Sequence, residues 1–245
     1  MLLYHGTSEA VARLALTEGL KPRCATGLTG NWEHTVQSGD DRVYLTAAYA
    51  PYFAFVAVPE GGHERWAIIE VDTDLLAQGQ LLPDEDFLEQ GSRGQEAPDW
   101  LVEIGFESNW EMTERTEWFR DNAMLFQSLW RESVTHLGNA AYRGNIPPEA
   151  ITRVVLFEPQ LNAAIFQSAV DPSISLLNYK FTGAKYRALT QWMMGDEISV
   201  EQFYGEGGMG AAFMTMMPKE QLESVEALLA DRRALTFLKG SGDRT

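Results

Sequence analysis

At 245 residues, with 45% hydrophobic content and seven Trp, the chain is long enough to bury a sizeable core and too apolar to be disordered. It carries 35 acidic against 19 basic side chains, a net charge of −16 that lies almost wholly in the first 160 residues and argues against a long-range electrostatic hold on DNA or RNA. The single Cys24 excludes an internal disulfide framework and a paired-cysteine zinc site, and no run approaches the roughly 18 apolar residues of a membrane helix.

In chain order, the apolar-aromatic run Met1-Leu2-Leu3-Tyr4 ends on His5-Gly6-Thr7. It predicts a buried strand over Leu2 to His5 that delivers an imidazole to its exposed end, with Gly6 admitting another molecule close to the backbone. Thr7 or Ser8 then caps a helix with Val11, Leu14 and Ala15 at helical spacing, and Gly19 stops it. The Gly-, Thr- and Ser-rich stretch from Cys24 to Asp41 reads as a long loop whose large side chains are Trp32 and His34. Further strands are expected over Arg42 to Thr46, Trp66 to Val71, Ala140 to Arg143 and Arg153 to Phe157, with a second polar loop from Gly91 to Asp99. Thr113 to His136 reads as one amphipathic helix, capped by Thr113, stopped by Gly138 and packed through Trp118, Leu125, Phe126 and Leu129.

Tyr179 to Met194 and Pro218 to Leu229 also look helical. Between them, the glycine run from Gly205 to Gly210 lacks the Lys-Ser/Thr of a P-loop. Met209, Met214, Met216 and Met217 crowd the same region, as core filling or as an adaptable docking surface. The four histidines (His5, His34, His63, His136) lack metal-ligand spacing, so no metal is expected. With no leader-like segment and no membrane span, the expected location is the cytoplasm.

Three of these pieces stand in a telling order: His5-Gly6-Thr7, then Tyr44 within Arg42-Val43-Tyr44-Leu45-Thr46, then Asn139 ahead of Ile146-Pro147-Pro148. The order resembles the His-Tyr-Glu branch of the ADP-ribosyltransferase fold. It is nearest to DNA-targeting ADP-ribosyltransferase toxins and, more distantly, RNA 2′-phosphotransferases. Asp72-Thr73-Asp74-Leu75-Leu76 and the acidic Leu82-Pro83-Asp84-Glu85-Asp86-Phe87-Leu88 are familiar from such chains as well. The resemblance implies an α+β fold, a split antiparallel β core with flanking helices. It spans residues 1–159 as a transferase-like domain, and residues 160–245 follow as a helical extension that packs on it or docks a partner or inhibitor such as an antitoxin.

By this resemblance NAD is the donor substrate. His5 would hydrogen-bond the adenosine-side ribose, Gly6 and Thr7 would offer backbone contacts to the dinucleotide, and Tyr44, with Thr46 beside it, would stack on the nicotinamide. The family's catalytic Glu falls on Asn139, which keeps a hydrogen-bond acceptor and loses the charge. Losing a preorganised charge there costs about 3–4 kcal/mol. Three readings follow: a slow or inactive enzyme, a replacement carboxylate such as Glu132 or the less favoured Glu149, or an acceptor that contributes its own base. The implied activity is transfer of ADP-ribose to a macromolecule in a toxin or phage-defence setting, a nucleic-acid base ahead of protein. A local basic rim of Arg13, Lys21, Arg23, Arg42 and Arg143 is available to guide a short strand. The alternatives are a non-catalytic NAD-binding module and a 2′-phosphotransferase-like enzyme.

Overall fold

The computed structural model describes residues 1–27, 38–58, 64–93, 96–157, 184–204, 218–233 and 235–239. Trp32, His34, His63, the glycine run and the clustered methionines lie outside them. The strands are β1 (Leu2–Ser8), β2 (Arg42–Thr46), β3 (Trp66–Asp72), β4 (Leu81–Pro83), β5 (Asn139–Arg143), β6 (Ile151–Phe157) and β7 (Leu235–Lys239). They form one sheet in the order β4-β5-β2-β1-β3-β6-β7, with every pairing antiparallel. The helices are α1 (Glu9–Glu18), α2 (Arg23–Thr26), α3 (Ala50–Ala57), α4 (Glu85–Ser92), α5 (Asp99–Glu103), α6 (Met112–Asp121), α7 (Trp130–His136), α8 (Ala184–Met193), α9 (Val200–Tyr204) and α10 (Lys219–Ala230). The class is α+β, an antiparallel sheet flanked by helices.

Strand alternation sends the core to both faces of this sheet. Leu3, Val43, Leu45, Ile69, Ala140 and Val154 bury with Ala12 and Ala15 of α1 and with Trp130 and Val134 of α7. On the other face Trp66, Ile68, Val155 and Phe157 bury with Tyr52 and Ala54 of α3 and with Tyr186, Leu189 and Trp192 of α8. β3 is therefore covered on both sides, which is why its sequence is a near-continuous apolar run rather than an alternating one. A third cluster joins Leu88 of α4 to Phe106, Phe119 of α6 and Phe126.

Several expected boundaries move. β1 continues through Ser8, paired with Trp66, so His5 sits mid-strand rather than at a strand end. Ser8 caps α1 through Val11 N–H at 3.5 Å, but Leu14 is exposed and Ala12 and Ala15 carry the buried stripe. The single helix expected over Thr113 to His136 is broken: α6 ends at Asp121 with Asn122 as its C-cap, a 3₁₀ turn runs from Ala123 to Leu129, and α7 follows. Asn122 Nδ2 donates to the Trp118 carbonyl at 2.9 Å, the local side-chain competition that ends helices. The tighter 3₁₀ winding shifts the phase, so Phe126 turns inward and Leu125 is left 57% exposed. Glu111, in a reciprocal capping box with Glu114, takes the cap expected of Thr113.

Two strands are additional to those read from sequence. β4 is three residues long and pairs with β5; β7 closes the other end of the sheet on β6. With β7 in the sheet and α8 in the same core as α3, these described elements of the tail are continuous with the packing of β3, β6 and α3. The Thr190 hydroxyl of α8 donates to the Ala48 carbonyl at 2.8 Å, and Trp192 Nε1 donates to Leu229 O at 3.0 Å. Among the described residues no helix is long and apolar enough to cross a membrane.

Candidate functional site

The sheet is divided near its middle. β1 and β2 share one register pair, Tyr4 with Thr46; continued, that register would set Gly6 opposite Tyr44. The ladder stops instead, and His5 Nδ1 donates to the Tyr44 carbonyl at 2.9 Å, so a side chain satisfies an acceptor that the ladder leaves open. Burial holds the imidazole pKa below its ordinary value, partly offset by that carbonyl, so the ring is neutral near pH 7. With Nδ1–H committed to Tyr44, Nε2 is left as an acceptor. His5 and Tyr44 thus meet across the opening.

Arg42, Tyr44 and Thr46 alternate onto one face of β2, and their partners Arg143, Ala141 and Asn139 present the same face of β5. The Tyr44 ring packs beside Leu82, Ala123 and Ala141. Its hydroxyl donates to both oxygens of Glu85, at 2.7 and 3.0 Å, and accepts from Gly39 N–H at 2.8 Å. Desolvation, then the Glu85 charge, pushes the phenol well above its ordinary range, so it stays protonated. A Cβ at Gly39 would lie 2.3 Å from Arg42 Nε, so a side chain there would displace the Arg42 guanidinium.

Asn139 opens β5 and is 8% exposed, and its Oδ1 is buried without a hydrogen-bond partner. Its backbone is fixed by a short relay in which Asp84 N–H donates to Ser133 Oγ at 3.0 Å and the Ser133 hydroxyl donates to Asn139 O at 2.8 Å. That relay also registers the start of α4, and Glu85 with it, against β5.

Two expected ligand contacts have internal roles. Thr46 is buried; its hydroxyl donates to Gly138 O at 3.0 Å and accepts from Ala48 and Tyr49 N–H at 3.1 and 2.9 Å, which uses its full capacity. The close approach at Gly6 is made by α3: a Cβ there would lie 2.0 Å from Ala50 O. Thr7 is buried opposite Ala67.

The basic rim is largely tied to acids. Arg13 pairs with Glu9, Lys21 with Glu18, and Arg42 and Arg143 flank Asp41 from either side, at 2.8 and 3.0 Å. Arg23 reaches Ser38. Glu132 and Glu149, named as replacement carboxylates, are both solvent-exposed. Glu85 is the carboxylate that touches a site residue. It lay within a quoted acidic run, and its signal was the Asp84 cap followed by Glu at the first helical position, which turns Glu85 inward.

Among the described residues no group of three or more His, Cys, Asp or Glu is placed to hold a metal ion. No family model and no curated protein matches this sequence. Among solved structures, one named EcPltA matches with a TM-score of 0.34 at 12% identity, over 64% of this chain and 75% of that chain, a likeness too slight to carry an argument.

Proposed function

We propose that the protein is an ADP-ribosyltransferase that takes NAD as donor and modifies a macromolecule. The observation that carries this reading is Asn139 Oδ1, a buried acceptor without a partner on the face that also presents Tyr44. Such an orphan costs about 1–3 kcal/mol, and a ligand hydroxyl relieves it. In this reading Asn139 accepts from the nicotinamide ribose, His5 Nε2 accepts from the adenosine-side ribose, and Tyr44 stacks on the nicotinamide. The edge of β1 beyond Tyr4 has no ladder to β2, which leaves Gly6 and Thr7 backbone beside the opening.

The reaction breaks the bond between nicotinamide and ribose, and its electron pair passes to the nicotinamide nitrogen. A lone pair of the acceptor forms the new bond at the same ribose carbon, and the acceptor proton goes to solvent or a base. A nucleic-acid base is the acceptor the sequence resemblance favours over protein. The pairing of Arg13, Lys21, Arg42 and Arg143 with carboxylates sets little aside for phosphate, so label from NAD must be followed into DNA, RNA and protein alike. A cytoplasmic toxin or phage-defence effector, held in check by an inhibitor, is the setting the same resemblance suggests.

The test is calorimetric titration with NAD together with an assay of nicotinamide release. Binding and turnover are expected, with His5→Ala, Tyr44→Ala and Asn139→Ala each lowering release at least about tenfold, the scale of ~1.4 kcal/mol. Unchanged release in all three folded variants overturns the reading. The neutral Asn at the charged position favours one second reading, a non-catalytic binding module, which binding without turnover identifies.

A further inference from the structure

The carboxylate of Glu85 has no place in the roles assigned above, yet it is 6% exposed and in direct contact with Tyr44. Burying a carboxylate costs free energy unless it is hydrogen-bonded, and here the phenol supplies that bond to both oxygens. Asp84 holds the start of α4 by accepting from Asp86 N–H at 2.9 Å, so Glu85 is fixed where it meets the ring. Gly39 N–H pins the hydroxyl from another side. The Tyr44 ring is thus fixed at its polar end, and its hydroxyl is donated to an anion. Beside it on β2, Arg42 is 8% exposed, with Nε on Asp41 and Nη1 buried without a partner.

We infer that Glu85 is a positioning residue that acts through Tyr44 to select the positively charged, oxidised nicotinamide ring over its neutral, reduced form. The inference rests on the NAD reading above. A phenol that donates its proton to a carboxylate carries more electron density in its ring, and a cation stacked on that ring is held more strongly. NAD⁺ presents a pyridinium, whereas the dihydropyridine of NADH is neutral and gains nothing from this. Asn139 is uncharged, and among the described residues Glu85 is the carboxylate hydrogen-bonded to Tyr44.

The charged and titratable groups that face Glu85 are Arg42 and Tyr44 on β2, Asp84 and Asp86 beside it, and Arg120 on α6. His136 of α7 stacks on Phe87 of the same helix, with ring centroids 6.1 Å apart. Desolvation raises the Glu85 carboxyl above the usual glutamate range, more than the Tyr44 bond lowers it. The preference for NAD⁺ is therefore lost as pH falls through that raised value, before an ordinary surface glutamate protonates.

The experiment measures NAD⁺ and NADH affinities by calorimetry for wild type, Glu85→Gln and Tyr44→Phe across pH 4 to 8. Gln keeps an acceptor for the phenol and removes the charge, and it spares the fold the cost of a buried anion. The expected result is a roughly tenfold fall in the NAD⁺-to-NADH affinity ratio in both variants, with NADH binding nearly unchanged in Glu85→Gln. The acidic loss of NAD⁺ preference should disappear in Glu85→Gln. If wild type binds NAD⁺ and the ratio and its pH profile survive Glu85→Gln, this inference falls and the transferase reading stands. If wild type binds neither nucleotide, both fall.

Discussion

Single residues here are decided by the groups packed directly against them. Gly6 lies mid-strand with α3 crossing its Cα, so the missing Cβ is a packing requirement of the fold. Gly6→Ala should lower stability by about 1–3 kcal/mol or more, because backbone of α3 must move and backbone yields less than a side-chain tip. Chemical denaturation with intact secondary structure by circular dichroism checks this. A near-neutral change would mean that α3 does not sit on β1 as described. Ser133 and Thr46 show the same economy with polar atoms: each hydroxyl both donates and accepts inside the fold. Asn139 departs from it through an acceptor, Oδ1, left without a partner, as Arg42 does through the donor Nη1.

At the scale of elements, α1 is tied to the sheet through its first residue. Glu9 accepts from Arg65 Nη2 and Nε at 2.7 and 2.8 Å and from Arg13 Nε at 2.7 Å, while its N–H donates to Arg65 O. The Arg65 hydrogen bonds, helped by Arg13, hold its carboxyl down to about 2. A carboxyl depressed in the folded state stabilises it above the ordinary glutamate range and loses that effect as pH falls toward about 2. Glu9→Gln should therefore unfold at lower urea than wild type near neutrality, and the gap should close as pH falls through that window. Equal midpoints at neutral pH would show the ion pair to be idle, as many exposed pairs are. The broken helix of α6 and α7 shows another property of elements: a hydrophobic period does not reveal where a 3₁₀ turn interrupts it. Trp118 and Phe119 pack on one side of Asn122 and Trp130 on the other, so the break serves two clusters.

For the whole molecule the tail is part of the sheet's accounting. β7 pairs with β6 along five residues, and Arg232 donates to Gly195 O and Asp196 O at 2.6 Å each. Deleting residues 231–245 exposes the β6 edge and uncovers Phe157 beside Leu235, an edge that invites pairing with another chain. The truncated protein should melt at lower temperature and self-associate, measured by calorimetry and light scattering. A monomeric product with unchanged melting would show β7 to be dispensable. The opening between β1 and β2 is a property at this scale too, since two half-sheets joined at one pair create it.

The sequence by itself carried the strands β1, β2, β3, β5 and β6, because strongly apolar β-rich runs bounded by Gly, Pro and Asp have few other structures available. It carried the α+β class, and motif order singled out His5 and Tyr44, which the fold joins by a hydrogen bond from the His5 ring to the Tyr44 carbonyl. It did not carry β4 or β7. A three-residue strand has no period, and β7 becomes a strand through the free edge that β6 offers. Nor did it carry Glu85 as the neighbour of Tyr44, 41 residues away in the chain, or the internal employment of Thr46. Hydrogen-bond capacity is written in residue type, but which group claims it depends on what folding brings alongside. That is why the acidic run showed its composition in the sequence, while which of its carboxylates meets Tyr44 was decided only by where folding sets the start of α4.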